Sequence, residues 1–279
     1  MDEVYVMCPA KINLFLNIVG KADDMHLLKM VNQTVNLYDY LTIRPNETGA
    51  LTFQCTNQDI PYDDTNSCLN AATMMLAYYN IDCGLDIILT KNIPIGAGLG
   101  GESTDAAGVI LGIKELFNLE IDRKALISLG KQIGADVPFC LLGGSCLVKG
   151  IGDHLTKVRM NNYHYLIIHP NFGISTAQAF YAFDKSCAEY RELDGFVLGH
   201  NDFEIIAPDQ IQDIKDYFAD TGAFFTNMTG SGSSVIGAYT NAKKRLAALR
   251  GLKKVFQDYQ GFSVEPCSGV DVIKKSRLS

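Results

Sequence analysis

The sequence predicts an α+β fold, and three observations carry that reading. Hydrophobic residues make up 47% of the 279-residue chain and charged residues 20%, the balance of a folded globular protein. Strand-like and helix-like runs interleave along the chain without the strict strand–helix–strand rhythm of a parallel doubly wound sheet. No repeat, low-complexity tract or long charged block interrupts them. A single core stops growing near ~250–300 residues, so one large domain or two intimate ones are both possible, with a weak seam near residues 150–165.

Val4–Met7 and Ile12–Val19 read as strands joined by the short turn Cys8-Pro9-Ala10-Lys11. Tyr40–Arg44 and Leu51–Cys55 are expected to pair as a hairpin. Leu69–Tyr79 is apolar at helical spacing, with Asn66 or Ser67 as its cap. Leu85–Thr90 has the length and flanks of a strand. After the glycine-rich stretch Pro94–Thr104, Ala106, Val109, Ile110, Ile113, Leu116 and Phe117 fall on one helical face. A second helix is expected from about Asp122 to Gly134, with Gly134 as the C′ glycine. Asp136-Val137-Pro138 should be extended, because the residue before proline avoids the helical region. Ser145–Lys149, Tyr163–His169, Val235–Tyr239 and Phe262–Pro266 read as strands. Ala177–Phe183, Gln210–Ala219 (closed by Gly222) and Ala242–Arg250 read as helices.

The net charge of −7 argues against a nucleic-acid partner, and an anionic substrate would need a local basic patch. The start, MDEVYVMCPAK, has no signal-peptide core, and no apolar run reaches the ~20 residues of a membrane span. Cys8, Cys55, Cys68, Cys83, Cys140, Cys146, Cys187 and Cys267 include no C-x-x-C pair, and they read as reduced thiols of a cytoplasmic protein. His154, His164, His169 and His200 show no ligand spacing and read as structural or exposed.

The segment Pro94-Ile95-Gly96-Ala97-Gly98-Leu99-Gly100-Gly101-Glu102-Ser103-Thr104 sets four glycines between a strand and a helix start. Glycines let backbone approach a ligand, and the free N–H groups of a helix start favour an anion. The segment therefore reads as a phosphate cradle. Gly96, Gly98 and Gly101 also satisfy the dinucleotide pattern G-x-G-x-x-G. That fold wants an acid about 20 residues on at a strand end, whereas Glu120 and Asp122 sit at a helix start. A Walker A loop needs Gly-Lys-Ser/Thr, and no lysine lies between Lys91 and Lys114. A tight turn with no ligand is the remaining alternative.

Three segments together resemble the GHMP kinase superfamily. Cys8-Pro9-Ala10-Lys11-Ile12-Asn13-Leu14 resembles its N-terminal motif, Pro94–Ala107 its glycine-rich second motif, and Thr229-Gly230-Ser231-Gly232-Ser233-Ser234 its third. Order and spacing match across nearly the whole chain. The branch most resembled is that of the 4-diphosphocytidyl-2-C-methyl-D-erythritol kinases, through Gly134-Ala135-Asp136-Val137-Pro138-Phe139, Asp23-Asp24-Met25-His26 and Pro170–Tyr181. The resemblance implies a ribosomal protein S5 domain 2-like domain over residues 1–155 and a ferredoxin-like α/β sandwich over 156–279. It implies transfer of phosphate from ATP, accompanied by Mg²⁺, to the 2-hydroxyl of the cytidine-linked alcohol. Another small alcohol (a mevalonate, homoserine or sugar derivative) or a non-catalytic nucleotide-binding role is the alternative. The chain is expected to act as a monomer or homodimer.

By the same resemblance, Lys11 and Asp136 are the catalytic couple, Asp136 also meeting the acceptor hydroxyl. Asn66, Lys91, Pro94, Ile95, Gly96, Ala97, Gly98, Leu99, Gly100, Gly101, Glu102, Ser103 and Thr104 are expected at the nucleotide, with Ser103 and Thr104 offering hydroxyls to phosphate or Mg²⁺. Glu102 is read as pointing to solvent, and no protein metal ligand is assigned. Asn13, His26, Phe180, Gly230, Ser231 and Gly232 are expected on the acceptor side. Four positions depart from the family pattern: Asp24 for glycine, Met25 for a tyrosine that stacks on cytosine, Glu102 for glycine or serine, and Thr104 for serine. The base is then expected between Met25 and Phe180, with sulfur–aromatic contact stabilising by ~0.3–1.5 kcal/mol.

Overall fold

The computed structural model describes residues 2–186 and 188–275. Cys187 lies outside them; the seven other cysteines are free thiols. In chain order the strands are β1 (Glu3–Ala22), β2 (Met25–Asn46), β3 (Leu51–Cys55), β4 (Gly84–Thr90), β5 (Ser145–Gly150), β6 (His154–Lys157), β7 (His164–His169), β8 (His200–Asn201), β9 (Phe225–Met228), β10 (Val235–Tyr239), β11 (Gln260–Val264) and β12 (Asp271–Lys275). The helices are α1 (Ser67–Tyr78), α2 (Gly101–Leu116), α3 (Arg123–Ile133), α4 (Val137–Leu142), α5 (Thr176–Lys185), α6 (Asp209–Asp220) and α7 (Ala242–Val255). A 3₁₀ turn covers Asp202–Ile206.

The first sheet runs β12-β1-β2-β4-β3, with β5 and β6 continuing from β2 and β8 parallel to β1. The second runs β11-β7-β10-β9, all antiparallel neighbours. Numbered within itself, that is the 4-1-3-2 order of a ferredoxin-like unit, with α6 and α7 as its crossovers. The chain is α+β with two sheets. Its C-terminal strand β12 returns to β1 of the first sheet.

Several local expectations are corrected. Cys8–Lys11 is no turn: β1 continues through it, with a register shift between Pro9 and Ala10. Proline has no N–H to give a ladder, so a bulge is where a strand tolerates it. Tyr40–Arg44 and Leu51–Cys55 do not pair. Strand β4 lies between them, antiparallel to β2 and parallel to β3. Its Leu85, Ile87 and Leu89 are all fully buried, which suits a central strand. Asp136–Pro138 is not extended: Asp136 is the N-cap of α4, and Pro138 sits in its first turn, where the missing N–H has no helical partner to lose. Gly134 follows α3 with φ −177°, an extended residue rather than a left-handed C′ glycine. The first half of β2, and β6, β9 and β12, carry no clear signal of their own.

Of the two candidates for the cap of α1, Asn66 takes the role. Asn66 caps α1 by accepting from the backbone N–H groups of Cys68 and Leu69, and Asp122 caps α3 in the same way. Helix α2 packs on β1 and β2 through its small residues. A Cβ on Gly108 would lie 2.3 Å from Cys8 Sγ, and one on Gly112 2.7 Å from Ile43 Cδ1. That close approach brings the N-terminus of α2 to the chain around Lys11.

Candidate active site

A cleft of about 430 Å³ runs between the two sheets. One lobe is lined by Asp59, Ile60, Pro61, Lys91 and the continuous run 94–103. The other is lined by Leu16, Leu28, Met30, Ile174, Thr176, Phe180, Phe203, Gly230 and Ser231. Lys11 and Asp136 line the cleft too.

The first lobe is built of backbone. Gly96, Gly98 and Gly100 have φ of 65°, 74° and 66°, so left-handed residues alternate with ordinary ones. Such alternation turns successive N–H groups toward one side, as an anion needs. Gly100 is the N-cap of α2 and supplies no side-chain cap, which leaves the first helical N–H groups for a ligand. No larger residue fits here. A Cβ at Gly98 would fall 2.0 Å from Thr229 O, and one at Gly100 2.7 Å from Lys11 Cγ.

The second and third motifs are bound to one another. Thr229 Oγ1 donates to Gly98 O at 3.1 Å, and Ser234 N donates to Ala97 O at 3.2 Å. Asn13 joins them to β1. Its Oδ1 accepts from Gly230 N at 2.7 Å and from Lys11 Nζ at 3.0 Å, and its Nδ2 donates to Asn32 Oδ1 at 2.7 Å. Asn13 is fully buried and lies behind the cleft wall, so it holds the site together from beneath. The Lys11 ammonium lies 3.4 Å from Asp136 Oδ2. Lys11 is buried, whereas Asp136 keeps a third of its side chain exposed to the cleft. The ammonium gives the carboxylate a counter-charge on one side, and the exposed part of the side chain can accept a hydrogen bond from the cleft.

Lys91 belongs to a buried ionic cluster. It donates to Asp39 and, at 2.9 Å, to Asp105. Burial alone would lower the lysine's pKa, but the Asp105 and Asp39 carboxylates outweigh it and hold it above the usual lysine range. Burial pushes the Asp105 carboxyl well above the carboxylate range, against the pull of Lys91. Asp39 Oδ1 also accepts from the N–H groups of Asn92 (2.5 Å) and Ile93 (2.8 Å), and so fixes the chain leaving β4 just before the cradle.

The expected residues divide accordingly. Lys11, Lys91, Pro94–Ser103, Asp136, Phe180, Gly230 and Ser231 converge on the cleft. Glu102 is exposed at its edge. Thr104 is buried and outside the lining, so its hydroxyl is not offered to the cleft. Asn66 is occupied as a helix cap and by Pro61 O, and lines only a small hollow beside the nucleotide lobe. Gly232 is outside the lining; a Cβ on it would meet Met228 Sδ at 2.8 Å and Ile174 Cδ1 at 2.9 Å. The sandwich of Met25 and Phe180 is not formed. His26 stacks on Phe180 with ring centroids 4.2 Å apart, and Met25 is 52% exposed at the hairpin tip. Sequence reading missed Asp39, the apolar acceptor wall and the partners of His26. Asp105 lies directly behind the glycine-rich motif and was the one with a local signal.

Among the described residues no cluster of three or more His, Cys, Asp or Glu could hold a metal by itself.

Comparison with known proteins agrees with this geometry. Residues 66–144 match the model of the GHMP kinases N terminal domain. The 4-diphosphocytidyl-2-C-methyl-D-erythritol kinase of Clostridium novyi (strain NT) is 34% identical over 268 residues, covering 89% of this chain and 95% of that one. The chain belongs to this kinase family. The family's protein from Caldicellulosiruptor saccharolyticus is 36% identical over 263 residues, 88% of this chain and 91% of the relative. A crystal structure of 4-(cytidine 5'-diphospho)-2C-methyl-D-erythritol kinase superposes with a TM-score of 0.79 at 25% identity, covering 95% of this chain and all of that one. The mevalonate kinase of Methanococcus jannaschii shares the fold alone, at a TM-score of 0.74 and 17% identity over 94% of this chain.

Proposed function

We propose that this chain transfers the terminal phosphoryl group of ATP to the 2-hydroxyl of 4-diphosphocytidyl-2-C-methyl-D-erythritol. The observation that carries it is the Lys11–Asp136 pair, 3.4 Å apart, with Lys11 against the cradle at Gly100 and Asp136 open to the cleft. Phosphoryl transfer asks a protein mainly for positioning and charge stabilisation. The backbone of Gly96–Ser103 holds the phosphates. Asp136 accepts a hydrogen bond from the acceptor hydroxyl and takes its proton as the new oxygen–phosphorus bond forms and the bond to ADP breaks. Lys11 lies beside Asp136 as its counter-charge and balances negative charge at the terminal phosphate. Asn13 positions Lys11, and Asp39 with Asp105 positions Lys91 against Gly101. Magnesium accompanying ATP neutralises phosphate oxygens, and Ser103 and Glu102 are the groups of this chain that would meet it.

The apolar wall of Leu16, Leu28, Met30, Phe180 and Phe203 suits the carbon skeleton and base of the acceptor. The free thiols among the described residues fit a reducing compartment such as the cytoplasm. The division into domains near residues 155 and 156 is part of this reading. No helix among the described residues is long and apolar enough to cross a membrane.

The test is a panel of acceptors offered with ATP and Mg²⁺ while ADP is followed. Turnover with the cytidine-linked alcohol, and not with mevalonate, homoserine or sugars, is the expected result. Turnover only with another alcohol would reassign the substrate, and nucleotide binding without transfer to any acceptor would remove the catalytic role.

A further inference from the structure

Where the two lobes meet, the peptide groups of one residue are held from opposite sides. Gly230 lines the cleft with a φ of 59°. Its N–H donates to Asn13 Oδ1 at 2.7 Å, and that oxygen also accepts from Lys11 Nζ. Its carbonyl accepts from Asn201 Nδ2 at 2.9 Å. The same amide nitrogen donates to Met228 O at 2.7 Å, and Asn201 Oδ1 accepts from Phe203 N at 3.0 Å. One side-chain amide thus joins the chain at the third motif to the 3₁₀ turn. Asn201 is buried in β8, a strand of only two residues that runs parallel to β1. Asparagine is depleted from strands, and a buried amide is tolerated only when its hydrogen bonds are made.

The residues after Asn201 complete the joint. Asp202 Oδ2 accepts from Ile18 N of β1 at 2.6 Å and from Asn17 Nδ2 at 2.8 Å. Glu204 Oε1 accepts from Met228 N at 2.8 Å. Phe203, between these carboxylates, is buried, lines the acceptor lobe and meets Phe180 edge-on with ring centroids 4.9 Å apart. On the other side, a Cβ at Gly230 would lie 3.1 Å from Gly98 Cα of the cradle. Residues 201–204 therefore fix the spacing between the wall that receives the acceptor and the loop that rests on the cradle. Asn201 itself is outside the cleft lining.

We propose that Asn201 is a positioning residue for the transfer step: through Gly230 and Phe203 it sets the acceptor wall relative to the phosphate cradle, so that the acceptor hydroxyl reaches the terminal phosphorus. This rests on the kinase reading above. Transfer between two bound substrates is steep in their alignment, and a misplacement of about 1 Å costs on the order of 10²-fold in rate. Each substrate by itself meets only its own lobe, so its affinity depends little on the joint.

The experiment compares kcat and both KM values of wild type with those of Asn201→Asp and Asn201→Ser, using ATP, Mg²⁺ and the acceptor that wild type turns over. Both replacements keep an oxygen that can accept from Phe203 N, as N-cap residues do. Neither can donate to the Met228 and Gly230 carbonyls together. Asn201→Ser guards against a fold lost to the buried charge of Asn201→Asp. In each variant kcat should fall roughly 10–100-fold, while KM for ATP and for the acceptor stay within about threefold. A merely structural residue would instead lower the urea midpoint and leave the kcat of the folded enzyme unchanged. A kcat within about twofold of wild type overturns the proposal, and so does a loss confined to either KM. A wild type that transfers to no acceptor overturns the functional reading, and the proposal with it.

Discussion

The two lobes of the cleft are built by different means. The nucleotide lobe is a single stretch of chain, residues 94–103, whose backbone lines the cleft while Ala97 and Leu99 are buried. The acceptor lobe is made of side chains from separated segments: β1, β2, the approach to α5, α5 itself, the 3₁₀ turn and the loop before β10. A backbone cradle binds any polyphosphate with little regard to neighbouring residues, so it can be carried by one contiguous stretch of chain. A side-chain wall follows the shape of one acceptor and is spread wherever the fold has an open edge. The difference predicts that substitutions in the first lobe act on folding and nucleotide affinity together, whereas those in the second act on the acceptor alone.

The largest expected effect lies where the lobes meet. Asp136→Asn should lower kcat by roughly 10²–10⁴-fold, the range lost with a general base, while ATP affinity by calorimetry stays within about twofold. A parallel loss of ATP affinity would put Asp136 in the nucleotide lobe and erase the distinction.

Lys91→Met leaves Asp39 and Asp105 buried without their cation. Breaking a buried pair on one side costs about 3–5 kcal/mol, which a urea titration should show. A change below about 1 kcal/mol would mean that Lys91 and Asp39 do not form a buried ion pair. Gly98→Ala meets both a φ of 74° and the Thr229 carbonyl. It should cost roughly 2–4 kcal/mol by the strain and overpacking it creates and weaken ATP binding, leaving an acceptor-lobe probe such as Phe180 unaltered until the protein unfolds.

The Asp184 carboxylate of α5 meets His26 Nε2 and accepts from Lys21 Nζ and the Tyr190 hydroxyl, each at 2.7 Å, and this clasp gives the acceptor lobe its own acid sensitivity. Its folded-state pKa is depressed, so its stabilisation is complete above the ordinary aspartate value near ~3.9 and is lost as pH falls from there through the lower folded value. For a partly exposed pair about 1 kcal/mol is at stake. Acid unfolding of Asp184→Asn should therefore differ from wild type above about pH 4 and converge with it below. A constant offset at all pH values would exclude the ionised clasp.

The smallest expected effect is at Met25. His26 already covers a face of Phe180, so Met25→Tyr should leave the acceptor KM within about twofold. A tenfold tightening would move the base to the hairpin tip.

Much of the first lobe was legible because its determinants are local. Glycines spaced two apart, a strand before them and an apolar helical face behind them state a loop entering a helix, whatever else the chain does. Lys11, Asn13 and Asp136 were legible through resemblance, though what each touches was not. The Cys8–Lys11 turn and the extended Asp136–Pro138 were misread for one reason: proline was given its average preference, while bulge and first-turn geometry accommodate it. The pairing of Tyr40–Arg44 with Leu51–Cys55 was misread because adjacency in sequence was taken for adjacency in the sheet.

By itself the sequence determined the periodic elements, the phosphate cradle and its kinship, since each depends on residues within one or two turns of one another. Only the tertiary structure decided that Asp39 and Asp105 hold Lys91, that Asn13 is buried beneath the cleft, and that His26 is gripped by Phe180 and Asp184. Those contacts join segments separated by up to 217 residues. Their energies come from desolvation and close distance, which exist only once the sheets have closed on one another.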